Sequence, residues 1–235
     1  MPFEPRTVLG EITAATEQLL STAAVFEDAD VRQPSLLPGW SRGHVLTHLA
    51  RNADGGTRIL TWARTGTEVR EYPSMRARAA EIEAGHGRPA RELFADVRDS
   101  AARFADAYQA MPDEAWHRVV RWTSGKERPA HRAADSRLTE LLVHHVDLRS
   151  GFHPGDWPAD FVETTLATVV SAYAARDHVP DLRLTATDTG RHYRLGGPRV
   201  ARVIEGSPVS LLAWLLGRSD GADLGDSLPE LPFLY

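Results

Sequence analysis

The chain has 235 residues, with 27 Lys and Arg against 32 Asp and Glu, which gives a formal net charge of −5. It contains no Cys, which excludes disulfides, thiolate metal ligands, iron–sulfur clusters and a thiol nucleophile carried by the protein. The mildly acidic balance and the lack of a basic cluster predict that nucleic acid is not a partner.

The first half of the chain predicts a series of helices. Its first residues, MPFEPRTVLG, lack the basic end and apolar run of a signal peptide, so we expect a cytoplasmic location. Apolar residues at helical spacing predict a long helix over 5–28, and Ser41 is expected to cap a second that runs to about residue 64. A short helix is predicted over 74–84. A third long helix follows over 90–110, where Pro112 ends it.

Residues 116–131 contain a strand-like run, WHRVVRW, and a turn at Ser124-Gly125. A fourth long helix is predicted over 133–150, with Gly151 as its left-handed C-cap. Four long helices within 150 residues predict a four-helix bundle.

Beyond residues 151–156 the pattern changes. A helix over 158–176 is followed by three short alternating runs, LRLTATD, RHYRLG and RVIEG, and by a last helix, SPVSLLAWLLGR. Its apolar stretch, 211–216, is far shorter than the roughly 20 residues that span a bilayer, so no membrane association is expected. The prediction is an α+β protein with two domains, a four-helix bundle over 1–152 and a small α+β domain over 153–235.

Histidines and carboxylates on two of these helices have the spacing of metal ligands. His44 and His48 stand four residues apart on the second helix, and Glu140 and His144 stand four apart on the fourth. Four residues advance a helix by about 6 Å and turn it by only ~40°, so each pair can point at one spot. Two His and one carboxylate suit Zn²⁺ or another divalent ion and leave coordination positions open. No phosphate loop, nucleophile elbow or dinucleotide-binding motif competes with this interpretation.

A helical wheel separates the two histidines of the second helix. His48 falls ~120° from the centre of the apolar stripe and His44 ~160°, so His48 is the better inward-facing candidate. Asn52, one turn after His48, lies closer still to the stripe and is expected to line the same cavity and to contact the cofactor.

The same residues also fit explanations without a metal. In an arbitrary protein, His44 and His48 would more often be surface or capping residues, and Glu140 with His144 would more often be a charged pair on a solvated face. His145, on the apolar side of the fourth helix, is expected to be a core histidine with a hydrogen-bond partner. The pattern alone therefore leaves the metal site as the less common explanation.

Four segments together are more specific than any single motif. They are LLPGWSRGHVLTHLARNADG, EYPSMRARAAEIEAG, LTELLVHHVDLRSG and LLAWLLGRSDG, and they are distributed over nearly the whole chain, from residue 36 to residue 221. In this order they resemble the mycothiol-dependent maleylpyruvate isomerase family. The resemblance implies a DinB-like four-helix metal-binding domain followed by a small sterol-carrier-protein-like α+β domain.

The resemblance also implies roles for particular residues. His48, Glu140 and His144 match the positions that hold the family's divalent metal, usually zinc, and Arg218 matches an arginine needed for activity. Arg218 is expected to pair with a substrate carboxylate or an enolate oxygen; the alternative is a surface arginine that caps the last helix. Asp147 is either a residue that orients His144 or a solvated aspartate.

The implied reaction turns maleylpyruvate into fumarylpyruvate in the gentisate route of aromatic catabolism. A thiolate adds to the conjugated double bond, the new single bond rotates, and the thiol leaves again. Mycothiol would supply the thiol, since the chain has none. Two alternatives remain open, a mycothiol S-transferase of the same superfamily and a non-catalytic metal-binding regulatory protein. The expected partners are the small-molecule substrate and mycothiol, and the expected state is a monomer or weak homodimer.

Overall fold

The computed structural model describes residues 3–197, 202–232 and 234. Its helices and strands form an α+β fold, and the chain divides into two units, Met1–Ser150 and Gly151–Tyr235. This division lies beside the boundary that the sequence predicts after residue 152.

Four long helices build the first unit. Helix α3 packs against α5 and α6, and α1 packs against the same two helices, so the four close into a bundle around one apolar core. Two short helices, α2 and α4, lie on the connections. The bounds are α1 Pro5–Ala23, α2 Asp28–Val31, α3 Arg42–Thr65, α4 Met75–Gly85, α5 Ala90–Gln109 and α6 Arg132–Asp147.

Helix α3 has a clear capping residue at each end, and both residues are adjacent to the helix in the sequence. The Ser41 side chain accepts a hydrogen bond from the backbone N–H of His44, and the His44 ring accepts one from the backbone N–H of Ser41. At the other end Gly66 adopts the left-handed conformation, with φ +75°, which suits glycine best. These caps fix the register of the helix that carries His48.

Helix α1 ends earlier than the sequence predicts. It stops at Ala23 rather than residue 28, and Glu27 caps the separate short helix α2 together with Asp30. Acidic residues favour the positive N-terminal end of a helix, so the acidic run EDAD starts a new helix instead of continuing the old one.

Helix α6 also ends early, and the predicted C-cap at Gly151 is wrong. The helix stops at Asp147, and Arg149 itself adopts a positive φ of 51° before Gly151 is reached. Arg42 supplies the reason, because its guanidinium donates to the backbone carbonyls of Leu148 and Arg149 at 2.6 and 2.9 Å. A residue distant in sequence thus satisfies carbonyl groups at the helix end.

Between α5 and α6 the predicted strand and turn are confirmed. A 3₁₀ turn at Asp113–His117 leads into strand β1, Val119–Arg121, which pairs antiparallel with β2, Glu127–Pro129. Gly125 takes a positive φ in the turn between them.

The second unit combines two helices with a three-stranded sheet. Strand β3 lies in the middle, antiparallel to β4 and parallel to β5. Helix α7 packs against α8 and β4, and α8 also packs against β3 and β5. The bounds are α7 Ala159–Ala174, β3 Leu182–Ala186, β4 His192–Leu195, β5 Arg202–Gly206 and α8 Pro208–Leu215. Among the described residues, no helix has the length and apolar character needed to cross a membrane.

Candidate metal centre

Three predicted ligands meet between helices α3 and α6. The Nε2 atom of His48 lies 2.7 Å from Oε2 of Glu140, and the Nε2 atom of His144 lies 3.1 Å from the same oxygen. One ligand atom from each of the three side chains lies within 4.8 Å of the others. The two histidines are buried and the Glu140 side chain is 22% exposed. The three groups therefore converge on one position in the bundle.

The charges of the three groups are set by burial and by one another. Burial lowers the pKa of His48 to about 4, although Glu140 partly opposes this. Burial by itself raises the pKa of Glu140, but the charges and hydrogen bonds of His48 and His144 outweigh it and hold that pKa well below its ordinary value. An ionised carboxylate and a neutral imidazole are the forms that bind metal ions, so this donor set fits a divalent cation.

Asp147 fixes the orientation of His144. Its Oδ2 atom lies 2.6 Å from Nδ1 of His144, and the residue is fully buried. Burial lowers the pKa of His144, but the bonds to Asp147 and Glu140 raise it above its ordinary value overall. A proton held on Nδ1 leaves Nε2 as the ligand atom, which is the usual arrangement beside a metal-binding histidine. The burial of Asp147 also rules out the alternative that it is a solvated aspartate.

Arg78 of helix α4 contacts the centre, and sequence reasoning did not assign it a role. Its Nη2 atom lies 2.8 Å from Nδ1 of His48. A guanidinium only donates, so Nδ1 accepts and the proton of neutral His48 sits on Nε2, which faces Glu140. A metal at His48 Nε2 requires that this proton leave and that Arg78 donate elsewhere.

His44 is buried near the start of α3, but it lies outside the converging group. Its Nδ1 atom accepts the Ser41 backbone N–H at 3.0 Å, so the proton of neutral His44 is on Nε2, 3.4 Å from Glu83. Its ring stacks on that of His86, with centroids 3.6 Å apart and planes 13° apart. His44, Glu83 and His86 also bring possible ligand atoms within 4.8 Å of one another. Parallel rings do not aim their lone pairs at one ion, so we interpret His44 as a capping residue.

Asn52 lies one turn after His48, and its side-chain oxygen accepts a hydrogen bond from Arg137 at 3.0 Å. Both residues line a small cavity in the bundle. Sequence reasoning did not single out Arg137; the available signal was its position three residues before Glu140, on the same helix face.

Two other predictions concern buried side chains. His145 is 2% exposed and its Nε2 lies 2.8 Å from the Thr22 hydroxyl, which confirms a core histidine with a hydrogen-bond partner. Arg218 follows α8 in the second unit and is 7% exposed, and its Nη1 donates to the carbonyl of Leu216 at 2.6 Å. It therefore caps α8, as one alternative held, but it is not a surface residue.

Comparisons with known families cover both units. Residues 12–149 match the family model described as the mycothiol maleylpyruvate isomerase N-terminal domain. Residues 156–231 match the model described as the MDMPI C-terminal domain. A search of curated protein sequences found no match.

Two solved structures are similar to this chain along almost its whole length. One is a crystal structure of the mycothiol-dependent maleylpyruvate isomerase, which is 26% identical, with a TM-score of 0.92. The other, of a histidine-to-alanine mutant of the mycothiol-dependent maleylpyruvate isomerase, is 24% identical with the same TM-score. Each match covers 99% of this chain and 98% of that chain.

Proposed function

The chain belongs to the mycothiol maleylpyruvate isomerase family, and we propose that it isomerises maleylpyruvate to fumarylpyruvate with mycothiol as the thiol cofactor. The observation that carries the proposal is the convergence of His48, Glu140 and His144 on one position. Three ligands are the number that catalytic metal sites use, because a fourth position stays open for a ligand that must enter and leave.

We propose that these three residues hold a divalent metal, and zinc is the ion we expect, because two imidazoles and a carboxylate form one of the donor sets of catalytic zinc sites. When bound there, the metal would hold the mycothiol sulfur as a thiolate at neutral pH, which is the nucleophile that a chain without Cys lacks. Rotation about a double bond needs that bond to become single for a time, and reversible addition of a thiolate achieves this.

The chain's own groups prepare this position. Glu140 is ionised and His48 is neutral, which are the charge states that ligands need, and His48 can bind through Nε2 once the proton on that atom has moved. Asp147 keeps the proton of His144 on Nδ1 and fixes the ring in one orientation. The surrounding helices bury the two imidazoles, and a site with little water strengthens every electrostatic contact made inside it.

We also propose the roles that the sequence predicts for Arg218 and Asn52. A buried arginine that is always charged suits a substrate carboxylate or a developing enolate oxygen. Asn52 lies one turn after His48 on α3. This position supports its proposed contact with the cofactor. We also propose that residues 1–152 and 153–235 are distinct domains.

The proposed setting follows from the cofactor. A reduced low-molecular-weight thiol is available in the cytoplasm, so we propose that compartment, with the protein as a monomer or weak homodimer. The partners are then small molecules, the substrate and mycothiol, with neither nucleic acid nor membrane involved.

The direct test is to incubate the zinc-loaded protein with mycothiol and maleylpyruvate and to follow the vinyl protons by NMR. We expect the trans product to form while mycothiol is not consumed. The Glu140→Gln variant should lose this activity, and the matched control Glu83→Gln should keep it. No turnover with mycothiol present would contradict the proposal, and mycothiol found attached to the product would indicate a transferase instead.

A further inference from the structure

We propose that Arg137 anchors the substrate carboxylate attached to the reacting double bond, through the Nε and Nη2 edge of its guanidinium. The inference deepens the proposed function and rests on it for the identity of the substrate. It makes Arg137 a specificity-determining residue of the bundle, beside the three predicted metal ligands.

Arg137 is a buried cation with part of its hydrogen-bonding capacity unused. The residue is 1% exposed, and its Nη1 atom donates to the Leu49 carbonyl at 2.8 Å and to Asn52 Oδ1 at 3.0 Å. Its Nε and Nη2 atoms are buried, and no group of the described residues accepts a hydrogen bond from them. Buried hydrogen-bond donors in proteins are almost always paired. Two unpaired donor atoms on one fully buried guanidinium therefore indicate that an acceptor binds there.

The two orphaned atoms share one edge of the guanidinium. The N–H groups of Nε and Nη2 run parallel there, which is one of the two forks that grip both oxygens of a carboxylate. The Phe104 ring lies 6.0 Å from the central carbon and the contacts of Nη1 hold the opposite edge, so the plane of the group is fixed. The unused edge is therefore a preorganised carboxylate fork.

No carboxylate of the described residues forms an ion pair with Arg137. Glu140 and Asp54 lie near enough to raise its pKa, together with Tyr72, but burial outweighs them and lowers that pKa to about 10. The group still carries its charge at neutral pH. A buried and unpaired positive charge is unfavourable in the free protein, and an anionic ligand would relieve it.

The position of the fork relative to the ligands suits the substrate. Arg137 precedes Glu140 by three residues on α6, and Asn52, which accepts a hydrogen bond from Arg137, follows His48 by four on α3, so Arg137 belongs to the part of the bundle within about one helical turn of the predicted ligands along both helices. In maleylpyruvate one carboxylate is attached directly to a carbon of the double bond. Because this carboxylate is so close to the reacting carbon, its anchor must lie close to the position that holds the mycothiol sulfur.

A small cavity adjoins Arg137. Asn52, Ser136, Glu71 and Trp122 line it with Arg137, and its volume is ≈ 10 Å³, which gives room for about one water-sized group. Glu71 is one of these lining residues, and its Oε2 accepts the Thr123 backbone N–H at 2.9 Å. A carboxylate is larger than this cavity, so its entry requires the lining side chains to move outward. The alternative to a bound carboxylate is a single water molecule in the cavity.

The test measures binding of maleate to the zinc-loaded protein by calorimetry, without mycothiol, so that no turnover takes place. Arg137→Met and Arg137→Lys should each weaken maleate binding by about tenfold or more, because both lose the fork. Lysine keeps the charge, so its variant is expected to fold as the wild type does. The matched control Arg103→Met removes an exposed arginine paired with Asp54 and should bind maleate normally.

Thermal unfolding separates anchoring from a structural role. If Arg137 is a carboxylate anchor, maleate should raise the unfolding temperature of the wild type but not that of Arg137→Lys, which keeps the charge and lacks the fork. Unchanged maleate binding in both variants, or no saturable binding to the wild type, would overturn the inference and leave a water in the cavity.

The two proposals fail separately. Arg137-dependent maleate binding without any isomerase activity would contradict the proposed function alone. Normal turnover with KM unchanged in Arg137→Lys would contradict the role of Arg137 alone.

Discussion

The proton of His144 decides which of its ring nitrogens can bind a metal. Asp147 holds that proton on Nδ1 at 2.6 Å. Asp147→Asn keeps the size of the side chain but removes its charge, so we expect zinc affinity to fall by about 10–100-fold. Competition with a zinc chelator measures this. The control is Asp106→Asn, on the exposed surface of α5, and equal affinities in the two variants would contradict the role of Asp147.

Zinc binding should also depend on pH through His144. Its pKa lies above the ordinary value, so below neutral pH a proton competes with the metal for this ring. The pKa of His48 is about 4 and that of Glu140 is well below its ordinary value, so neither competes in this range. We expect the affinity to decrease with falling pH by up to about tenfold per unit, as one proton requires. A chelator titration between neutral and mildly acid pH checks the slope; a constant affinity, or a two-proton slope, would be inconsistent.

At the scale of the element, α3 depends on a close approach at its first turn. A Cβ atom on Gly43 would overlap the backbone carbonyl of His86 and approach that of Val31 at 3.3 Å, whereas a Cβ on Gly10 of α1 meets nothing. Gly43→Ala should therefore destabilise the fold by about 1–3 kcal/mol, as overpacking does. Gly10→Ala should stabilise it by about 0.5–1 kcal/mol, because alanine favours a helix.

Urea unfolding of the two glycine variants compares them directly. Opposite shifts of the midpoint are expected. Equal shifts would mean that the start of α3 can move away from its neighbours, and the fixed placement of His48 would then need another cause.

The extent of an element was predictable where its signals are local. Ser41 caps α3 and apolar periodicity defines its length, so both were available in the sequence. The end of α6 was not, because Arg42 sets it from 106 residues away in the chain. A sequence pattern does not contain such a contact.

The same distinction applies to the site. The pairing of Glu140 with His144 was predictable from their spacing of four residues, and His48 was separated from His44 by its smaller angle from the apolar stripe. Arg78 and Arg137 were missed because their importance depends on which helices pack together and on hydrogen bonds that stay unmade. Burial of His44 was also missed, since a capping bond to Ser41 overrides its place on the wheel.

At the scale of the whole molecule, the proposed roles are divided between two units. The proposed metal ligands lie in Met1–Ser150, and Arg218 lies in Gly151–Tyr235. Arg218→Lys should therefore leave zinc binding unchanged while kcat/KM falls by about tenfold or more, the loss expected for one charged contact to the substrate. Chelator competition and a steady-state assay on the same sample measure both. A parallel loss of zinc would show that Arg218 acts through the fold instead.

The account depends above all on one cation held by His48, Glu140 and His144. The most direct measurement is the zinc content of the full chain after exposure to zinc and removal of excess, determined by mass spectrometry for wild type, His48→Ala and Glu83→Gln. We predict one zinc per chain in the wild type and in Glu83→Gln, and loss of it in His48→Ala. A metal-free wild type, or full zinc content in His48→Ala, would contradict the account.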